Sequence, residues 1–267
     1  MNATTRSFAA SIRAHGASVL IGAVAALTCL SSSAQGRIVV NHDEWTWTDT
    51  GFGAAGGSNA ATFAQNVASF LDTDGTAGGN VLVYSTNFGF GASFDTALAG
   101  AGYTATHSIV TPFTLANLQN YDAVYLAGND IGGNDAILTA YVNGGGGVFI
   151  AGGTGAGGPG PEAATWNGFL GNFGLAFDGT QYNGVSGTLA VTGTHAIFNG
   201  VSDLYYNNGN TVLLQAIGNP NASIVQGPGL IAVYDGVTAP VPEPQTYALM
   251  LAGLGALAFV ARRRSRG

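Results

Sequence analysis

From residue 38 to residue 151 the chain alternates short apolar runs with stretches whose apolar residues recur every three or four positions. Residues 81–84 (VLVY) form a β-branched run fenced by Gly78-Gly79-Asn80 and Ser85-Thr86-Asn87, the pattern of a strand buried on both faces. Phe94, Ala97, Leu98 and Ala101 then share one helical face, which ends at Gly102. The alternation continues with a strand over 104–109, a brief helix marked by Leu115, Leu118 and Tyr121, and a strand over 123–127 (AVYLA). A helix carrying Ile137, Leu138, Tyr141 and Val142 follows, stopped by four glycines, and then a strand over 148–151 (VFIA). Upstream, 38–40 reads as a strand and 60–71 as a helix with Phe63, Val67, Phe70 and Leu71 inward. Strands alternating with helices require crossover connections, so the expected fold class is α/β, a parallel sheet flanked by helices on both faces. Further on, short runs at 189–191, 211–214, 223–225 and 230–234 lie between glycine and asparagine turns, and they are expected to add strands to the sheet edge within the same domain.

Two other apolar segments break this pattern, one at each end. Arg6 and Arg13 precede an apolar stretch over 17–30, and Ser32-Ser33-Ala34 places small residues where a signal peptidase reads them. Residues 1–34 are therefore expected to be a signal peptide cleaved after Ala34, the alternative being a retained membrane helix. At the other end Pro240, Pro242 and Pro244 remove amide donors and fix φ, so 240–246 reads as an extended linker. Residues 247–261 (YALMLAGLGALAFVA) carry no charge, and Arg262, Arg263, Arg264 and Arg266 close the chain. Fifteen helical residues span about 22 Å, short of a bilayer core of about 30 Å, and snorkelling arginines extend the reach. A separate C-terminal transmembrane helix over 247–261 is expected, with residues 262–267 cytoplasmic and the domain over 35–239 outside.

Charge sharpens this division. Six of the seven basic residues lie in the two ends, and residues 37–239 hold one arginine, no lysine and thirteen carboxylates, a net charge of −12. Such a surface repels phosphate backbones and excludes nucleic acid as a partner. Glycine is abundant, 43 of 267 residues, but follows no fixed period and is mixed with 46% apolar residues, which fits a folded, loop-rich domain. The only cysteine, Cys29, falls in the leader, so the mature domain has no disulfide and no thiol nucleophile.

Val241-Pro242-Glu243-Pro244, the apolar helix and the terminal arginines together resemble the PEP-CTERM sorting signal over about the last 27 residues. The resemblance implies that an exosortase, a cysteine transpeptidase-like membrane enzyme, processes the tail. Pro242, Glu243 and Pro244 would be its recognition motif, and Arg262, Arg263 and Arg264 the charges that retain the chain in the inner membrane. It also implies export by the Sec machinery, a period as an inner-membrane-anchored protein with the domain in the periplasm, and release to the cell surface or medium. Hosts of this system typically make exopolysaccharide, which makes that polymer a candidate partner in biofilm.

The strand-helix order, the strand end over 148–154 and the later segment His195-Ala196-Ile197-Phe198-Asn199-Gly200 resemble the class I glutamine amidotransferase-like, flavodoxin-like superfamily. Enzymes of that superfamily carry a cysteine nucleophile within Gly-x-Cys-x-Gly after a central strand. Here the turn reads Gly152-Gly153-Thr154-Gly155-Ala156, and no His-x-Glu pair follows to supply a base. The same glycines lack the ordered spacing of a phosphate loop, so no nucleotide or other cofactor is expected.

A ligand of an open parallel sheet binds at the carboxyl ends of its strands. The residues expected there are Asn87, Asp130 and Thr154, with Glu162 and His195 as further lining, and neutral hydroxyls, amides and a few carboxylates suit a sugar or calcium better than an anion. The plainer reading makes the same residues turn formers and helix caps. His42-Asp43-Glu44 with Trp45 and Trp47 is the densest polar-aromatic cluster; it reads as part of a first strand, and as a metal site only if His107 or His195 converges on it. No catalytic residue and no metal is assigned. The expectation is an envelope or extracellular-matrix protein with a non-catalytic binding or assembly domain; the alternative is a secreted carbohydrate-acting or hydrolytic enzyme without the cysteine.

Overall fold

The computed structural model describes residues 35–236, apart from 55, 75–77, 129–133, 156 and 216–217. In chain order its regular elements begin with β1 (Arg37–Asn41), α1 (Asp49–Ala54), α2 (Ser58–Leu71), β2 (Gly79–Val83), α3 (Ala92–Gly100) and β3 (Tyr103–His107). Next come α4 (Leu115–Leu118), β4 (Ala123–Ala127), α5 (Asp135–Asn143), β5 (Gly147–Ala151) and α6 (Pro159–Leu170). The last elements are all strands: β6 (Leu175–Tyr182), β7 (Ser186–Ala190), β8 (Asp203–Asn207), β9 (Asn210–Leu214), β10 (Ala222–Gln226) and β11 (Ile231–Asp235).

Seven strands form the main sheet in the order β10-β11-β1-β5-β4-β2-β3. The five from β1 to β3 run parallel, while β11 pairs antiparallel with both β1 and β10. β4 (AVYLA) and β5 (GVFIA) are buried at every position because both faces of the sheet are covered. Alternation sorts their side chains into two cores. Val39, Tyr125 and Phe149 point to the side of α2 and α3, where they meet Phe63, Val67, Phe94 and Leu98. Ile38, Val40, Val124, Leu126, Val148 and Ile150 point to the side of α4, α5 and α6, where they meet Leu118, Leu138, Trp166 and Phe169. Trp47 anchors the first core, its ring 4.3 Å from Phe149 and 5.1 Å from Phe94 between centroids. Each such fully buried side chain contributes roughly 1.5–3 kcal/mol.

The strand-helix pattern over 38–151 is found as expected, but the later strands divide. Residues 223–225 fall in β10 and 231–234, of the expected 230–234, in β11, and both extend the sheet edge. Residues 189–191 and 211–214 do not: β7 pairs with β8, and β9 pairs with β6, in two separate two-stranded ladders. The reason lies in burial, since Leu204 and Tyr206 of β8 close over the first core and Phe177 and Val212 of β6 and β9 over the second. α6 is absent from the sequence reading because it opens with Pro159-Gly160-Pro161; proline at the start of a helix forfeits an amide that has no helical partner there. The 42–47 segment is likewise not strand. β1 ends at Asn41, and Trp45–Trp47 is a single 3-10 turn.

Among the described residues no helix is long and apolar enough to cross a membrane. Ala34, the motif Pro242-Glu243-Pro244, the 247–261 helix and Arg262, Arg263 and Arg264 lie outside the described residues, as does Asp130.

Candidate functional site

The chain turns outward from β2 to β3 and then back to β4, and the residues after β1, β2 and β5 gather at the carboxyl rim of the sheet. His42, Asp43 and Glu44 leave β1, Ser85 to Asn87 leave β2, and Gly152 to Thr154 leave β5. Glu162 reaches the same rim from the first turn of α6.

Glu162 is fully buried and takes four hydrogen bonds. One carboxylate oxygen accepts from the Thr154 amide at 3.0 Å and the Thr154 hydroxyl at 2.6 Å; the other accepts from the Gly153 amide at 3.1 Å and the Tyr182 hydroxyl at 3.2 Å. Asn210, also fully buried, accepts from the Gly153 amide at 3.1 Å and donates to the carbonyls of Pro159 and Asp178. Gly153 has φ of +68°, and a Cβ there would stand 2.7 Å from Gly209 Cα and 3.0 Å from Asp43 Cβ, so the turn requires glycine.

Asp43 is equally buried, and its oxygens accept from the amides of Trp45 and Asn207, each at 2.7 Å. The Asn183 side chain accepts from the Val185 amide through its oxygen, so its nitrogen faces His42 Nδ1 at 3.0 Å and donates to it. That places the imidazole proton on Nε2, 3.1 Å from Asp43 Oδ2 yet not aligned for a hydrogen bond. The Tyr206 ring packs 5.0 Å from His42, and burial, with the nearby Asp43 charge, raises its hydroxyl pKa.

Glu44 differs from its neighbours. It is 5% exposed, and among the described residues its hydrogen-bond partner is the Asn87 side-chain amide. Its pKa is raised from 4.5 to about 7, first by burial and then by the charges of Glu162 and Asp43, against the lowering effect of the Asn87 bond. The rim therefore brings together Asn87, Thr154 and Glu162 through Glu44, which lies within electrostatic reach of Glu162.

His195 does not join them. It sits at the opposite end of β1, edge-on to Phe70 at 5.0 Å, where the Arg37 guanidinium lies 4.7 Å above the same ring and pairs with Asp235 at 3.0 Å. Its Nδ1 accepts from the Ile197 amide and caps the Ala196–Phe198 turn, and burial lowers its pKa, with Asp235 opposing and Arg37 reinforcing the shift. His107 binds exposed Asp95 at 2.7 Å beside β3, so neither histidine converges on His42. Of the five residues expected to line a pocket, Asn87, Thr154 and Glu162 lie at this rim and Asp130 lies outside the described residues, while His195 lies at the other end of the sheet, where 196–198 packs against α2.

Asp72, Asp74 and Asp122 form a second acidic group, their carboxylate oxygens within 4.8 Å of one another, an oxygen set of the kind hard cations accept. These oxygens already have uses in the fold: Asp72 accepts from Tyr103 and the Asp74 amide, and Asp122 from the Asn80 amide. Sequence reasoning missed Tyr182, Asn183, Tyr206 and Asn210 as members of the rim. Their only signal was Asn-Gly punctuation, which marks turns without saying what the turns face.

Residues 240–264 match the PEP-CTERM protein-sorting motif. No curated protein and no solved structure matches the chain. The motif is that of exported proteins processed by an exosortase and held by a C-terminal membrane anchor beforehand.

Proposed function

We propose that this PEP-CTERM tail delivers an envelope or extracellular-matrix protein whose α/β domain binds or assembles rather than catalyses. Sec-dependent export, signal cleavage after Ala34, anchoring in the inner membrane with the domain in the periplasm, and release after exosortase processing complete the reading. The amidotransferase-like, flavodoxin-like ancestry of the domain belongs to the same proposal, supported by the parallel order of β1, β5, β4, β2 and β3.

The observation that carries the non-catalytic reading is the turn after β5. β5 is the central strand, and the residue in the left-handed conformation behind it is Gly153, which has no side chain to act as nucleophile. The adjacent Thr154 hydroxyl is spent on Glu162, whose four donors fix that carboxylate as a brace between the turn, α6 and β6. A hydrolase built on Glu162 and His195 lacks support, because the two lie at opposite ends of the sheet.

The test is Glu243→Gln in the native host. The variant is expected to be exported normally but to keep its C-terminal tail; maturation identical to the unaltered protein would overturn the sorting role of Pro242-Glu243-Pro244.

A further inference from the structure

The same rim carries an aromatic surface that the packing of the domain leaves open. Trp47 and Trp166 are 2% and 1% exposed and belong to the two cores, whereas Trp45 is half-buried and Phe88 is 56% exposed. Their rings meet edge-to-face at 5.2 Å. Both are held by their backbones. Asp43 accepts from the Trp45 amide at 2.7 Å, and the Trp45 carbonyl accepts from the Thr48 amide and hydroxyl at 3.2 and 2.9 Å. On the other side, Ser85 Oγ accepts from the Asn87 amide at 3.0 Å and Asn87 Oδ1 accepts from the Gly89 amide at 2.7 Å, which closes the turn that presents Phe88. The two segments touch directly: a Cβ on Gly89 would come within 2.7 Å of the Glu44 carbonyl oxygen. The hydrogen bond between Asn87 and Glu44 crosses the same junction.

We infer that Trp45 and Phe88 form a platform for a neutral saccharide, whose C–H face packs on the rings while its hydroxyls meet the part-exposed Asn87 and the Trp45 indole. Three properties of the surface select that ligand. An amphipathic aromatic with a free N–H serves a partner that is apolar on one face and hydroxylated at its edge, and among the described residues no acceptor engages the Trp45 indole nitrogen. Asp43 and Glu44, which precede Trp45, in a domain of net charge −12 with one arginine and no lysine, disfavour an anionic ligand. Rings fixed before binding lose little freedom on binding, which matters for a weakly held, repeating polymer. The inference rests on the reading of the domain as a binding module and names what it binds.

The test is affinity electrophoresis of the full-length chain in detergent, through gels containing dextran, galactomannan or hydroxyethylcellulose, with alginate as the anionic control. Retardation by at least one neutral polymer and not by alginate is expected, with Phe88→Ala and Trp45→Ala each weakening it by about tenfold, the scale of a lost aromatic contact. Phe88 is exposed, so its removal leaves the fold intact by circular dichroism, and Trp45→Phe retains part of the binding. No retardation by any neutral polymer, retardation by alginate alone, or retardation that Phe88→Ala leaves unchanged would overturn the platform. So would a dimer that Phe88→Ala dissociates in the absence of any retardation, which would assign the rings to a second copy. Retardation accompanied by release of reducing ends would support the platform while overturning the non-catalytic reading, and the Glu243→Gln result is independent of all of these.

Discussion

The two ends of the sheet hold similar residue types and treat them differently. At the carboxyl rim Asp43, Glu44 and Glu162 are buried with His42, and the charge is met almost entirely by amides and hydroxyls. At the amino end Arg37 and Asp235 form an ion pair with side chains 21% and 43% exposed, backed by Phe70 and His195. Composition forces the contrast. With one arginine and no lysine in the domain, a buried carboxylate has no cation to pair with and must collect hydrogen bonds or take up a proton. Asp43 and Glu162 do the first, and Glu44 tends to the second. Polar convergence at the carboxyl ends of strands is here a means of fixing turns, and the binding surface lies beside it on the open aromatics.

The largest effect that can break this comparison is expected at Glu162. Glu162→Ala leaves the Thr154 amide and the Thr154 and Tyr182 hydroxyls without this acceptor, while the Gly153 amide keeps Asn210, and should cost about 3 kcal/mol, a fall in melting temperature on the order of 10 °C. Thermal denaturation followed by circular dichroism reads it directly, and a change as small as that of a surface substitution would mean the rim is not a brace.

An intermediate effect sharpens the difference between Glu44 and its neighbours. Its folded pKa of about 7 stands above its ordinary value of 4.5, so the native state holds more protons than the unfolded state between those values. Stability from this group is therefore greatest below about pH 4.5, falls as pH rises toward 7, and is at its lowest above 7, with an upper bound of roughly 3 kcal/mol. Glu44→Gln removes that slope. The variant should match the unaltered protein near pH 4.5 and exceed it in stability at pH 8, as measured by urea denaturation at the two pH values; a constant difference would deny the shift.

The smallest effect belongs to the amino end. Arg37→Met should cost under about 1 kcal/mol, as exposed ion pairs and cation–π contacts do. It should also move the His195 titration upward, since the Arg37 charge is one cause of its lowered pKa, and NMR titration of the ring would detect the change.

How much of this was legible follows from how local each signal is. The β1 to β5 succession was legible because 81–84, 123–127 and 148–151 are contiguous apolar runs and α2 and α3 keep one apolar face. The sorting tail was legible for the same reason, its elements lying in order within one segment. α6 was hidden behind Pro159-Gly160-Pro161, and the pairing of β6 with β9 and β7 with β8 is set by partners 13 to 39 residues away across loops without strong alternation. At the rim, Asn87, Thr154 and Glu162 were identifiable as polar residues following strands, but the side chains that join this network, Glu44, Tyr182 and Asn210, come from the turn after β1 and from β6 and β9. His195 was misplaced because a histidine beside an asparagine-glycine turn carries no mark of which end of the sheet it will cap. The weight of Glu44 emerged only from its burial beside Glu162, which no pattern along the chain encodes.

The most direct test of the central claim, an exported and exosortase-processed protein, is the intact mass of the chain recovered from envelope and medium fractions of its native host. Loss of residues 1–34 together with the tail behind Pro244 is the predicted result. A mass that retains residues 245–267 in both fractions would contradict it and leave a plain membrane-anchored protein.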